Sequence, residues 1–178
     1  MHASQVPPSM DRNERRRRDR LRTKLLDIHD GESKKSLAER SAFFFKNVLF
    51  SERPRLARNV HVTVRVKKDL GAMGYCDYDE YGRSPRDFRI AIHAMCERPD
   101  VVETVAHEMV HVWQFATDRL VDLANGDSKY DGHKYCRSDM TYGEYPWEVE
   151  AYALEEELVR LWIKHCTEEK SVAKSKRR

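Results

Sequence analysis

The chain has 178 residues, 40% of them hydrophobic and 35% charged, with a formal net charge of +3. That is enough for one hydrophobic core with extensions, and no apolar run approaches the ~18 residues of a membrane span. The four cysteines, Cys76, Cys96, Cys136 and Cys166, lack any Cys-x-x-Cys spacing, so they read as reduced intracellular thiols and not as a zinc ribbon or disulfide frame.

Charge divides the chain in three. Residues 1–50 carry 12 Lys and Arg against 7 Asp and Glu, residues 51–166 carry 16 against 21, and residues 167–178 carry 5 against 2. An acidic body between two basic ends is the expected organisation: a basic, partly disordered arm over 1–33, a folded domain over 34–166 and a basic tail over 167–178. The first eight residues hold no apolar stretch of the kind a secretory signal needs, which adds to the expectation of a cytoplasmic protein.

In the arm, Arg15 to Arg18 stand with Arg12, Arg20, Arg22 and Lys24. The segment can form a helix, but it has no apolar face before Leu21, Leu25, Leu26 and Ile28. It reads either as a solvated leader or as a phosphate-touching arm that supplies no catalytic group. No aromatic residue interleaves with the basic runs, so any DNA contact at these termini is expected to ignore sequence.

The body opens with Leu37, Phe43, Phe44, Val48 and Leu49, an amphipathic helix from Ser36 to about Phe50. Phe43, Phe44 and Phe45 read as core packing. Val60, Val62, Val64 and Val66 then alternate strictly, which predicts a strand with the valines inward. Gly74 to Asp79 and Phe88 to His93 read as two more strands, with a turn over 81–85.

A second helix follows. Asp100 with Glu103 three residues on gives an N-cap pattern. Val102, Val105, Met109, Val112, Trp113 and Ala116 recur at helical spacing. Within this run stands His107-Glu-Met-Val-His111. Histidines four apart share one helix face, so both imidazoles can reach one ion. Glu108 between them can take a proton from a metal-bound water.

After the site helix, Asp131-Gly132 is a tight-turn signal between Tyr130 and Tyr135, predicting a hairpin. Pro146 then suits the first turn of a last helix, whose stripe Val149, Tyr152, Ala153, Leu158, Leu161 and Trp162 runs to about residue 165. Glu148 in that first turn is the preferred third protein ligand of a zinc ion, with water in the fourth position. Glu150 lies about 200° further round the helix and cannot face the same ion. Asp118, Asp122 and Glu155 are candidate carboxylates to orient a ligand histidine.

The runs His107-Glu-Met-Val-His-Val-Trp-Gln114 and Tyr142-Gly-Glu-Tyr-Pro-Trp-Glu-Val-Glu-Ala-Tyr152 resemble the SprT-like metallopeptidases, especially short phage-type members, over about residues 58–160. The resemblance implies an α+β, zincin-like domain, with a short antiparallel or mixed sheet packed on an HExxH helix and a second ligand-bearing helix. It implies a Zn2+ peptidase acting on a protein or peptide substrate, with ligands His107, His111 and Glu148 and Glu108 as general base. It also implies that the Phe88 to His93 strand borders the cleft and offers a free edge to substrate. If the chain is phage-encoded, the compartment would be the host cytoplasm. Many members use a third histidine, and His133 is the rival to Glu148 on that pattern. Tyr142, Tyr145 and His133 are candidates to hold a developing oxyanion. The competing functions are a zinc-stabilised domain without activity, and a nucleic-acid-binding protein in which the motif is incidental.

Overall fold

The computed structural model describes residues 2–3, 11–79 and 84–175. Most of the expected 81–85 turn and the outermost residues of both basic ends lie outside that set. The described chain is α+β.

Residues 12–28, expected to belong to a partly disordered arm, form helix α1 (Arg12–Ile28). The Asp11 carboxylate accepts from the amides of Asn13 and Glu14, and Glu14 reaches back to the Asp11 amide, so donors left open by the first turn are satisfied reciprocally. The helix docks although its apolar face is short. Leu25 is fully buried, Leu21 and Ile28 pack against the core, and further up the contacts are ionic. Arg18 and Arg22 meet carboxylates of the domain body, described below.

Helix α2 (Lys34–Leu49) starts at Ser33, whose hydroxyl caps the Ser36 amide, and buries Leu37, Ala38 and Phe45. Of the three consecutive phenylalanines, Phe45 is in the core and Phe44 packs against it. Phe43 is 70% exposed, as three neighbours on one helix cannot share a face. A short helix α3 (Pro54–Asn59), not expected from the sequence, begins on a proline at its first turn.

A four-stranded sheet follows, formed by β1 (His2–Ala3), β2 (His61–Lys67), β3 (Gly74–Tyr78) and β4 (Asp87–His93) in the order β1-β3-β4-β2. β4 is parallel to β2 and antiparallel to β3. Val64, Ile90 and Cys76 sit side by side in this register and are buried together. The expected free edge on β4 is therefore not present. β4 is paired on both sides, and its buried Phe88, Ile90, Ala91 and Ile92 suit a central strand. The strand nearest the site helix with an outer edge is β3, and β1 pairs with that edge at Tyr75 and Cys76.

Helix α4 (Arg98–Ala116) runs through the centre of the molecule and is buried nearly all round, the pattern of a helix enclosed by other elements. It is capped three residues earlier than the sequence suggested. Glu97 is the N-cap, and the Asp100 carboxylate accepts from its amide. Glu103, expected in the capping role, instead faces α1. A three-stranded antiparallel sheet comes next: β5 (Leu120–Asp122), β6 (Ser128–Tyr130) and β7 (His133–Tyr135). Asp131 and Gly132 between β6 and β7 have φ of 45° and 88°, the left-handed pair a two-residue hairpin requires. Two 3₁₀ turns, Arg137–Asp139 and Tyr142–Glu144, lead to α5 (Pro146–Ser175). This helix extends past the expected end near 165 into the basic tail, where Lys170 donates to the carbonyl of Ile28 at the end of α1.

Candidate metal centre

His107 and His111 lie one turn apart on α4, 1% exposed each, and Glu148 faces them from the first turn of α5, 0% exposed. The three ligand atoms converge. His107 Nε2 is 3.2 Å from His111 Nε2 and 3.2 Å from Glu148 Oε2, and His111 Nε2 is 3.4 Å from Glu148 Oε1. The mutual separations, all within 4.8 Å, suit a single ion. Burial pushes the Glu148 carboxyl up, but the two imidazoles outweigh it and hold it well below the usual range.

Trp147 fixes the start of α5. Its ring is fully buried, stacked on Tyr145 at 4.7 Å and met edge-on by Tyr135 at 6.0 Å. The β5–β7 sheet thus clamps the turn that carries Glu148. Glu150 is turned away, as expected. Its carboxylate accepts from Tyr130 Oη at 2.7 Å, from Arg119 Nη1 at 2.8 Å and from Gln114 Nε2 at 2.9 Å.

Gln114 orients the second histidine. Its amide nitrogen donates to the Trp147 carbonyl at 3.0 Å and to Glu150, both acceptors only. That assigns the amide orientation, leaving Oε1 to accept from His111 Nδ1 at 2.8 Å. With the proton on Nδ1, the lone pair on Nε2 faces the ligand cluster. The signal was in the sequence, since Gln114 follows His111 by three and His107 by seven and shares their helix face. For His107, the carboxylate beyond the ring is Glu155, with Oε2 3.4 Å from Nδ1. Asp118 and Asp122, the other two candidates for this role, are used elsewhere. Asp118 meets Ser84, and Asp122 pairs with Arg137 at 2.6 Å and accepts from Tyr78 Oη.

Glu108 points to the sheet side of α4. It is 0% exposed, and neither carboxylate oxygen has a hydrogen-bond partner among the described residues. Burial pushes its carboxyl up to about 7, against the pull of His107 and His111. Gly74 on β3 passes directly over it: a Cβ there would lie 2.3 Å from Thr104 Cγ2 and 3.5 Å from Glu108 Oε1. A glycine lets β3 approach this closely. His133, the rival third ligand, is exposed on β7 and is not part of the cluster. Tyr145 spends its hydroxyl on the Arg137 carbonyl at 3.0 Å. The Tyr142 hydroxyl is buried, and desolvation together with the charges of Glu148 and Glu108 raises its pKa far above the ordinary value.

The residues could hold a metal ion. Two neutral-capable imidazoles and one carboxylate form a buried donor set, next to the Glu108 carboxylate, which has no hydrogen-bond partner among the described residues. Comparison with protein-family models, with curated proteins and with solved structures gave no match to this chain. Among the described residues, no helix is long and apolar enough to cross a membrane.

Proposed function

We propose that the protein is a zinc-dependent peptidase of the SprT-like kind, with His107, His111 and Glu148 as metal ligands. The observation that carries this reading is the buried convergence of those three side chains beside the unpartnered carboxylate of Glu108. A fully buried carboxylate without a hydrogen bond is expensive to maintain, and such groups mark sites of proton chemistry. The donor set, two imidazoles and a carboxylate, is that of catalytic zinc, which leaves one position open.

When bound, zinc would act as a Lewis acid, lowering the pKa of a coordinated water and polarising a substrate carbonyl. Glu108, with a carboxyl near neutrality, holds the proton taken from water and returns it to the leaving amine. Gln114 keeps the His111 lone pair aimed at the ion. Tyr142 is the donor best placed for the developing oxyanion, since Tyr145 is committed to a loop carbonyl and His133 is exposed. An extended peptide would add to the outer edge of β3, beside Glu108, displacing β1.

The test is zinc content and peptide hydrolysis in the purified chain. Wild type should hold about one zinc, and His107→Ala or His111→Ala should lose it. Glu148→Ala should also lose tight binding, while His133→Ala keeps it. Glu108→Gln should keep zinc while hydrolysis falls by about 10²-fold or more. Wild-type turnover in Glu108→Gln refutes the mechanism. A zinc-bound wild type that never hydrolyses peptide leaves a metal-stabilised domain instead.

A further inference from the structure

Four buried or half-buried carboxylates crowd the two ligand helices: Glu103 and Glu108 on α4, Glu148 and Glu155 on α5. The cations that answer Glu103 and Glu155 come from α1. Arg18 Nη2 lies 3.0 Å from Glu103 Oε2 and 3.2 Å from Glu155 Oε1. Arg22 takes Glu103 at 2.8 Å and Asp100 at 2.7 Å, and not Glu155. The far oxygen of Glu155, Oε2, is the one 3.4 Å from His107 Nδ1. A line of contacts therefore runs from the α1 guanidinium through one carboxylate to the back of a ligand imidazole, its last step an ion-pair separation and not a formed hydrogen bond.

The chemistry of the imidazole gives this path a role. His107 Nε2 faces His111 and Glu148, so a metal-binding ring must carry its proton on Nδ1. A proton there needs an acceptor, and an ionised carboxylate is the strongest one a protein offers. Glu155 can fill that place only if it is held there, and Arg18 holds it, because the guanidinium bridges Glu103 and Glu155 and takes the Glu155 oxygen that His107 does not use. His111 is served differently, by the neutral amide of Gln114 from its own helix.

We propose that Arg18 is a positioning residue of the metal centre, fixing Glu155 so that it takes the Nδ1–H of His107 and leaves Nε2 to the ion. This rests on the metal-centre reading above. It makes α1 part of the site's outer support and no longer a separable arm.

Arg22 is the internal control, since it shares the docking of α1 but not the contact with Glu155. The experiment titrates Zn2+ alone into the full chain against a chelator, for wild type, Arg18→Gln, Arg22→Gln and Glu155→Gln. A proton spectrum of each zinc-loaded protein follows the exchangeable Nδ1–H of His107. Loss of support behind a ligand histidine typically weakens metal binding by about 10–100-fold. Arg18→Gln and Glu155→Gln should fall in that range, and their His107 Nδ1–H signal should shift upfield and exchange faster. Arg22→Gln should lower melting temperature yet keep zinc affinity within about threefold, a shift small beside that range, and keep the proton signal. If Arg18→Gln fails to fold, Glu155→Gln decides, because it retains an acceptor oxygen but loses the charge that Arg18 holds. Equal zinc affinity and an unchanged signal in Glu155→Gln, or equal losses in Arg18→Gln and Arg22→Gln, would overturn the inference while leaving the metal centre standing. A wild type that binds no zinc would refute the metal-centre reading itself, and the inference with it.

Discussion

Gln114→Met offers a sharp test of how the two ligand helices are tied together. Methionine keeps the length and most of the volume of glutamine, so the fully buried site neither collapses nor overpacks. It removes three hydrogen bonds at once: the one accepted from His111 Nδ1 at 2.8 Å, and those donated to the Trp147 carbonyl at 3.0 Å and to Glu150 at 2.9 Å. At about 1 kcal/mol net for each buried bond, metal-free protein should lose about 3 kcal/mol, a large share of the ~5–15 kcal/mol of a typical domain. Zinc binding should weaken a further ~10–100-fold, because the Gln114 oxygen that accepts from His111 Nδ1 is gone. Urea denaturation in the presence of a chelator measures the first effect, and competition against a chelator of known affinity measures the second. The denaturant slope should stay constant if only stability changes. If Gln114→Met unfolds within about 0.5 kcal/mol of wild type, the spread expected of a neutral surface change, and binds zinc equally well, the bridge assigned to Gln114 is wrong.

Gly74→Ala should push β3 away from α4, because its Cβ would meet Thr104 Cγ2 at 2.3 Å and the Ala91 carbonyl at 3.0 Å; a loss of about 1–3 kcal/mol in urea is expected. Adding Thr104→Ser, which deletes the clashing methyl, should recover part of it, and full stability in the single variant would contradict the close approach. His29 is buried, accepts from Trp162 Nε1 at 2.9 Å and faces Glu32, Arg40 and Lys170; burial lowers its pKa despite Glu32. The unfolded chain then binds the proton more readily, so stability from His29 is complete above about pH 6.5 and is lost as pH falls from there through the lower folded value. His29→Gln should flatten that limb in urea melts at stepped pH, and an identical slope would exclude it. The outward residues of α1, Arg12, Arg15, Arg16, Arg20 and Lys24, are exposed, so changing the first three to Gln should weaken binding to duplex DNA of random sequence and flatten its salt dependence. Unchanged binding in a gel-shift titration at two salt concentrations would assign these arginines to solvation alone.

The parts of the fold that could be read from the chain are those set by local periodicity. The valine alternation of β2, the HExxH helix, the Asp131-Gly132 turn and the Pro146 start of α5 each depend on neighbours within a few residues. Glu148 was legible for the same reason, since proline at the first helical turn fixes where a first-turn carboxylate must point. What failed depends on pairing across the chain. Nothing in Phe88 to His93 states that β2 will cover one edge and β3 the other, and that order removed the edge expected for substrate. The capping error is local instead: Glu97 and Asp100 form a reciprocal box with the acidic types exchanged, three residues ahead of the more familiar pattern.

The arm shows most clearly why charge composition is a weak guide to placement. Seven arginines within residues 12–22 read the same whether they face solvent, phosphate or buried carboxylates. The distinction lies in partners 81 to 139 positions away, Glu103, Glu155 and Glu156, which pair with Arg22, Arg18 and Arg17. Those acidic residues belong to the body whose excess negative charge was visible from the start. A segment net positive beside a body net negative is therefore as consistent with self-association within one chain as with a nucleic-acid arm. The structure divides α1 between the two. Arg18 and Arg22 turn inward to the carboxylates behind the histidines, while Arg12, Arg15, Arg16 and Arg20 remain outside. Truncation of the first 24 residues would remove both sets together and expose Glu103 and Glu155. The arm's contribution to binding and to the site can be separated only by substituting one face at a time.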